Sequence, residues 1–343
     1  MRMLLALSVW AVWTCLAGPV AAAQFEPATA EEKAALAEPG GPKLGEPQVQ
    51  RWRIGMIVTA VGGPCGHMTG ARTVPMDWPE QRVKVVAQDL SPGATVSYKT
   101  YKNTARQMVV SFPALAVGEE ARAVLTFELT RRAIGPPESP AAYVVPDPKK
   151  LPGNLKEYLG PSPFIESGHP RVKALAKEIG AGETSAWQRV KAIYNWVDAN
   201  LKYVPKNKGR YELETHFTGV VEAIDKGEGD CNERTSTFIA ICRAAGVPAR
   251  MIALPTHCCP EFYLQDERGQ GYWFPCEEMF GRVAQQAPIL QKGDNFRLTA
   301  ADPANKRGKT EKAYRFLPET LVGLPRAGDG QPQMKLVCEA VEE

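Results

Sequence analysis

The sequence predicts an α+β domain, with helices packed on an antiparallel sheet, preceded by a small all-β sandwich. Three observations predict it. Short strand-like runs divided by turn signals fill residues 51–134, amphipathic helical periodicity sets in near His169, and an aromatic strand pair at 261–277 follows the helices. At 343 residues the chain exceeds a usual single domain and can bury a real core. Its 44% hydrophobic and 23% charged residues are ordinary for a globular protein. A formal net charge of +3, with Lys and Arg interspersed among Asp and Glu, gives no basis for nucleic-acid binding.

In chain order, Arg2, the apolar run Met3 to Leu16 and the small residues Ala21 to Ala23 read as a signal peptide over 1–23. The mature protein is therefore expected to be exported, periplasmic or secreted. The apolar run is short for a spanning helix, so no stable membrane insertion is expected after cleavage. Residues 24–50, rich in Ala, Glu, Gly and Pro, read as a linker. In the sandwich, strands are expected at Trp52–Val61, Gln81–Val86, Ala94–Thr100, Gln107–Phe112 and Ala121–Leu129, the last with plain alternation of Ala123, Leu125, Phe127 and Leu129. Cys65-Gly66-His67 falls in a glycine-rich stretch without nearby partner ligands and reads as a loop. The proline-rich residues 135–163 read as an extended connection.

The second domain, 164–299, opens with a helix near His169–Ile179. Ser185 caps the next, where Trp187, Val190, Ile193, Tyr194, Val197 and Leu201 recur at helical spacing as a core face. A short helix near Gly219–Lys226 feeds Gly227-Glu-Gly-Asp-Cys231. Asp230 is a favoured N-cap, so Cys231 takes the first position of a helix that runs to Ala245 and stops at Gly246. A helix N-terminus lowers a thiol's pKa and offers unpaired N–H groups to a developing oxyanion. Such a nucleophile needs a base. His257 heads the strand Glu261–Leu264, and a second strand, 271–277, follows a turn containing Gly269. A hairpin symmetric about position 267 sets Tyr263 opposite Gly271 and His257 opposite Glu277, putting a carboxylate beside the imidazole. The order Cys231, His257, Glu277 has the logic of a thiol acyl-transfer triad. Glu278 and Asp294 are rival carboxylates.

Gly-Asp-Cys followed by a helix ending Arg-Ala-Ala-Gly-Val-Pro-Ala-Arg, then His-x-x-x-Glu-Phe-Tyr and Trp-x-Pro, resembles the transglutaminase-like superfamily of papain-fold cysteine enzymes over about residues 160–290. The resemblance implies a papain-like transglutaminase core, Cys231 as nucleophile and His257 as general base. Glu277 stands where that family usually has an aspartate, and Cys259 where it usually has a tryptophan. It implies attack on amide or peptide carbonyls of a protein or peptide substrate through a thioester, resolved by water or by an amine. No cofactor is implied.

Other readings stand beside this one. Cys259 and Cys276 are expected as near neighbours across the hairpin, open to a disulfide. A zinc site from Cys231, His257, Cys258, Cys259 and Cys276 is disfavoured by the adjacent cysteines and the lack of any Cys-x-x-Cys pair. A catalytically inactive module of the same fold could bind peptide or carbohydrate along Tyr272 and Trp273. His169 and His216 read as surface or loop residues, and Tyr203 as a candidate for the oxyanion site. The extension 300–343 is assigned no function beyond an edge strand over Met334–Val341.

Overall fold

A computed structural model describes residues 41–183, 185–205, 217–281, 287–299 and 312–342. The expected signal segment, the linker up to residue 40, His216 and the Glu278 side chain lie outside the described residues. Six strands build the first half: β1 (Gln48–Val61), β2 (Cys65–Val74), β3 (Gln81–Leu90), β4 (Thr95–Tyr101), β5 (Ala105–Phe112) and β6 (Glu120–Arg131). Alternation along β6 buries Ala121, Ala123, Leu125, Phe127 and Leu129, which meet Ile54, Met56 and Val58 of β1 and Met68, Met108 and Val110 of the facing sheet. This is the expected sandwich core.

The second half contains α1 (Pro170–Ile179), α2 (Ala186–Asn200), α3 (Val220–Lys226) and α4 (Cys231–Ala244). Then come β7 (Ala249–Ala253), β8 (Cys258–Gln265), β9 (Gly271–Pro275) and the two-residue β10 (Gln291–Lys292). His169 caps α1, its Nδ1 accepting from the Arg171 N–H, and Ser185 caps α2 by accepting from Gln188 N–H. Helix α4 is central: Phe238 to Cys242 are all buried, and it packs among Val172, Val190 and Ile193 on the helical side and Ala249, Met251 and Phe262 on the sheet side.

Three sequence readings change. Cys65-Gly66-His67 is the start of β2, because Cys65 exchanges two backbone hydrogen bonds with Leu115 and pairs with Pro325. The end of the linker is structured, with Lys43–Leu44 paired to Ile134–Gly135. Among the described residues the extension supplies three strands, the short Lys312–Tyr314, which pairs with Phe296–Leu298, then β11 (Thr320–Pro325) and β12 (Gln331–Ala340), where one was expected. β12 lies at the edge of a four-stranded sheet ordered β12-β1-β6-β3, and β11 pairs with β2.

The second sheet crosses from one half to the other. Its order is β9-β8-β7-β10-β5-β2-β11, with β4 also on β5. The crossing is β10, whose Gln291 pairs with Ala253 on one side and Ala105 on the other. Buried polar groups fasten this seam. Lys292 Nζ bridges Glu80 Oε1 at 2.7 Å and Glu261 Oε2 at 2.9 Å, and Glu261 also pairs with Arg250. The Gln81 side chain donates to Met76 and Ile289 carbonyls and accepts from the Ile289 N–H.

Asp294, a rival carboxylate on sequence grounds, is committed elsewhere. It receives both bonds of a bidentate pair from Arg243 Nη2, at 2.8 and 2.9 Å, with neither side chain exposed. It also accepts from Ser162 Oγ and the Met251 N–H, while Arg243 donates onward to Ala249 O and Gly160 O. This cluster bolts the C-terminal end of α4 to the sheet. Breaking a buried pair from one side strands a charge, at a cost of about 3–5 kcal/mol, whereas replacing both partners with apolar residues can be nearly neutral. Arg243→Met is expected to lower the urea midpoint strongly and Arg243→Met/Asp294→Leu to recover most of the loss, both read by circular dichroism.

Candidate active site

The placement of the Cys231 sulfur follows from how α4 begins. Gly227 ends α3 with a left-handed backbone, φ +65°, which favours glycine. At Gly229 a Cβ would come within 2.5 Å of Glu233 Cβ, so only glycine lets the chain pass that close to the helix. Asp230 then accepts from the Asn232 N–H at 2.7 Å, and Glu233 closes the capping box by accepting from the Asp230 N–H at 3.0 Å. Glu233 Oε1 further accepts from the Thr218 N–H. The result is a helix start that cannot slide, with Cys231 in its first position and partly exposed.

His257 immediately precedes β8, and Glu277 sits in the one-turn helix Cys276–Met279 that follows β9. The imidazole Nε2 lies 3.2 and 3.3 Å from the two Glu277 oxygens. The expected hairpin register is corrected by two residues: Tyr263 faces Trp273, and Gly271 faces Gln265. The cause is the turn. The Asp266 side chain accepts from both the Arg268 and Gln270 N–H groups, centring the loop on 268 rather than 267. A shift of two preserves which face each side chain takes. Glu277 reaches the histidine because the chain leaves the strand after Pro275 and coils, not because the two residues are opposed across a ladder.

Cysteine, imidazole and carboxylate are thus brought together. With Nε2 engaged by Glu277, Nδ1 is the nitrogen left for the sulfur. The Cys231 thiol is pulled down to about 5, first by a hydrogen bond from the Cys258 side chain. Burial opposes this, and the hydrogen bond and charge of His257 and the backbone N–H of Cys258 reinforce it. His257 is raised to about 9: burial disfavours the cation, but hydrogen bonds and negative charge from Cys231 and Glu277 outweigh it. Between those values the pair is a thiolate and an imidazolium, the reactive form of a cysteine nucleophile.

Other sequence candidates are placed elsewhere. Tyr203 is exposed, on the short strand Lys202–Tyr203 whose register sets it against Gly229, beside the cysteine loop. Cys259 and Cys276 are not joined: Cys276 belongs to the main core and Cys259 packs against a separate cluster with Trp78 and Ile252. Among the described residues no group of three or more His, Cys, Asp or Glu side chains is placed to hold a metal. Trp273 and Tyr263 lie on the sheet face turned away from α4 and, with Tyr272, line a cleft of about 810 Å³ between the halves.

Sequence reasoning set one neighbour of the sulfur, Cys258, beside it only as a ligand of the disfavoured zinc site, and missed a second. Cys258 is adjacent to the histidine, yet a residue next to a base normally faces the other way. Arg315 comes from the C-terminal extension. Its buried guanidinium donates to Asn232 O at 3.3 Å and stands 4.8 Å from the Phe217 ring. Burial pulls its pKa down, opposed by its interactions with the Cys258 sulfur, the Asp294 and Glu233 carboxylates and the Cys231 sulfur. No local pattern in the sequence could have tied it to the site.

A sulfur at a helix mouth, an imidazole from the adjoining sheet and a carboxylate behind it, in an α+β fold, form the arrangement of cysteine-dependent acyl-transfer proteins. Residues 173–277 match the model of the transglutaminase-like superfamily, a span that holds all three side chains. The resemblance read from the motifs therefore holds over this segment. The structure superposes on the crystal structure of a candidate cysteine protease from Cytophaga hutchinsonii with a TM-score of 0.54. That protein is 18% identical, and the match covers 86% of this chain and 92% of the other. At that identity the likeness is one of fold, and it spans both halves. The periplasmic domain of TgpA from Pseudomonas aeruginosa, bound to ethylmercury, aligns at 14% identity over 68% of this chain and 90% of that one, with a TM-score of 0.31. Comparison with curated protein sequences gives no significant match.

The ion pair sets a pH profile. Alkylation of Cys231 in the folded protein is expected to rise through about pH 5 and to be already fast at pH 6.5, because the depressed pKa makes thiolate available there. In His257→Ala the rise moves toward the ordinary thiol value of about 8.5, slowing alkylation at pH 6 by at least about tenfold. Peptide mapping of the labelled protein measures both.

Proposed function

We propose that this protein is an exported cysteine enzyme that attacks amide or peptide carbonyls of protein or peptide substrates through a thioester. The observation that carries the reading is the contact chain from Cys231 through His257 to Glu277 at the start of a buried helix. The Cys231 thiolate adds to the carbonyl carbon, and the backbone N–H groups of the first helical turn receive the oxyanion. Imidazolium His257 gives its proton to the departing amine, so the C–N bond breaks and the acyl group remains on sulfur. Neutral His257 then takes a proton from water or from an amine as that molecule attacks the thioester; the C–S bond breaks, the acyl group leaves on the new oxygen or nitrogen, and Cys231 returns as thiolate beside imidazolium His257. Water makes the protein a peptidase or amidase; a lysine amine makes it a transamidase. Glu277 holds the imidazole in register and favours its cation. This chemistry draws on no cofactor.

Both outcomes are read in one experiment. A glutamine-containing protein is incubated with a fluorescent amine, and label incorporation is followed alongside release of ammonia and fragments. Activity of either kind is expected in the wild type and absent in Cys231→Ala. His257→Ala is expected to lose about 10²–10⁴ in rate. A wild-type protein that makes no product yet retains ligand binding would overturn the reading in favour of an inactive module.

A further inference from the structure

The cleft of about 810 Å³ between the two halves takes no part in the proposed chemistry. Its volume lies at the upper end of the range of small-molecule sites, about 300–1,000 Å³. Along β8, Phe262 and Leu264 belong to the core around α4, whereas Tyr263 and, opposite it on β9, Trp273 face the cleft. The sheet therefore stands between this cleft and Cys231.

The floor is aromatic. The half-buried Trp273 meets Tyr158 and Tyr263 edge-to-face, with ring centroids 5.5 and 5.3 Å away, and the Arg250 guanidinium lies 4.0 Å from its centroid. Gly271 makes room for this arrangement. A Cβ there would overlap the Tyr263 ring, so only glycine lets that ring lie across β9.

The rim is polar. On the sandwich side it is the turn between β4 and β5, where the Thr104 N–H donates to Tyr101 O and the two central residues, Lys102 and Asn103, have φ of +48° and +54°. This type I′ geometry suits asparagine and is costly for lysine. Lys102 ties the turn to the wall built by residues 153–158, pairing with Glu157, and donates to Asn295 O at 3.3 Å. Asn103 and Asn154, one from each of these walls, are exposed, each with an amide that both donates and accepts.

Charge in the cleft is balanced. Each cation of the lining is matched by a carboxylate, Lys102 by Glu157, Arg250 by Glu261 and Lys292 by Glu80. An ionic ligand would have to break one of these pairs to be held. What the cleft offers instead is a ring-lined floor and an amide-lined rim. A sugar ring has the matching division, with C–H groups on its faces and hydroxyls around its edge. We infer that this cleft is a second binding site, which takes a neutral oligosaccharide with its rings against Trp273 and its hydroxyls on the Asn103 and Asn154 amides. The inference does not depend on Cys231 being a nucleophile.

Tryptophan fluorescence and isothermal titration calorimetry of the full chain measure binding of cellotetraose, chitotetraose, xylotetraose and maltotetraose. At least one is expected to bind saturably, with a Kd of about 1 mM or tighter. Trp273→Ala is expected to weaken that binding by at least about tenfold, and Asn103→Gly/Asn154→Ala by about three- to tenfold. Glycine at position 103 keeps the left-handed turn while deleting the amide, and both positions are exposed. The double variant is therefore expected to melt with the wild type, and it carries the test should the tryptophan variant not fold. Cys231→Ala is expected to bind the sugar as the wild type does. Failure of all four sugars to bind saturably, or binding that the folded variants leave unchanged, overturns the inference. An uncharged alanine–glutamine tetrapeptide that binds in place of the sugars, with the same loss in the variants, overturns it in favour of a peptide cleft.

Discussion

The bidentate pair between Arg243 and Asp294 fixes the far end of the helix that presents the cysteine, and the site's geometry is downstream of it. A helix buried on nearly every side has no wet face to orient it, so its rotation and axial position must come from its ends. At one end Asp230 and Glu233 close a capping box. At the other a guanidinium and a carboxylate meet with no solvent between them and pull in the Ser162 hydroxyl and the Met251 N–H. Hydrophobic packing supplies the stabilisation along the barrel of the helix. The polar ends supply its register, which decides where the sulfur sits relative to the imidazole.

Much of this was legible in the amino-acid sequence because it depends on local chemistry. Gly227, Gly229 and Asp230 announce the end of one helix and the start of the next, and the first residue after such a cap can only be Cys231. The pairing of His257 with Glu277 was foreseen for an incomplete reason. Parity along the hairpin put them on one face, but the turn at Asp266 moves the register by two, and the contact is made by a coil after Pro275. What stayed hidden is non-local. Nothing in the residues around Asp294 says that its partner is an arginine at the end of the cysteine helix, and nothing around Arg315 says that it lies under the helix start. The strand beginning at Cys65 was masked by its glycines, and one of its two partner strands comes from the far end of the chain.

The electrostatics of the site are made from a small set of groups used twice. Cys258 lies in the strand that follows the base and contacts the nucleophile. Glu233 caps the helix and also steadies the segment before α3. Arg315 donates to the helix backbone and places a positive charge near two sulfurs. Such economy makes the pH behaviour of Cys231 a property of the whole cluster, and its apparent titration belongs to coupled groups rather than to one thiol.

The strand made of Gln291 and Lys292 is only two residues long, yet it carries one sheet from the sandwich into the cysteine-bearing half. Sheet edges left bare invite pairing with other chains. A fragment cut to the segment that matches the superfamily would lose Lys292, a buried partner of Glu261, and expose an unfinished ladder along β7. The two halves are therefore poor candidates for exchange as building blocks: recombination with relatives would have to carry the whole chain from the first paired residues near Lys43 to the closing strand at Ala340.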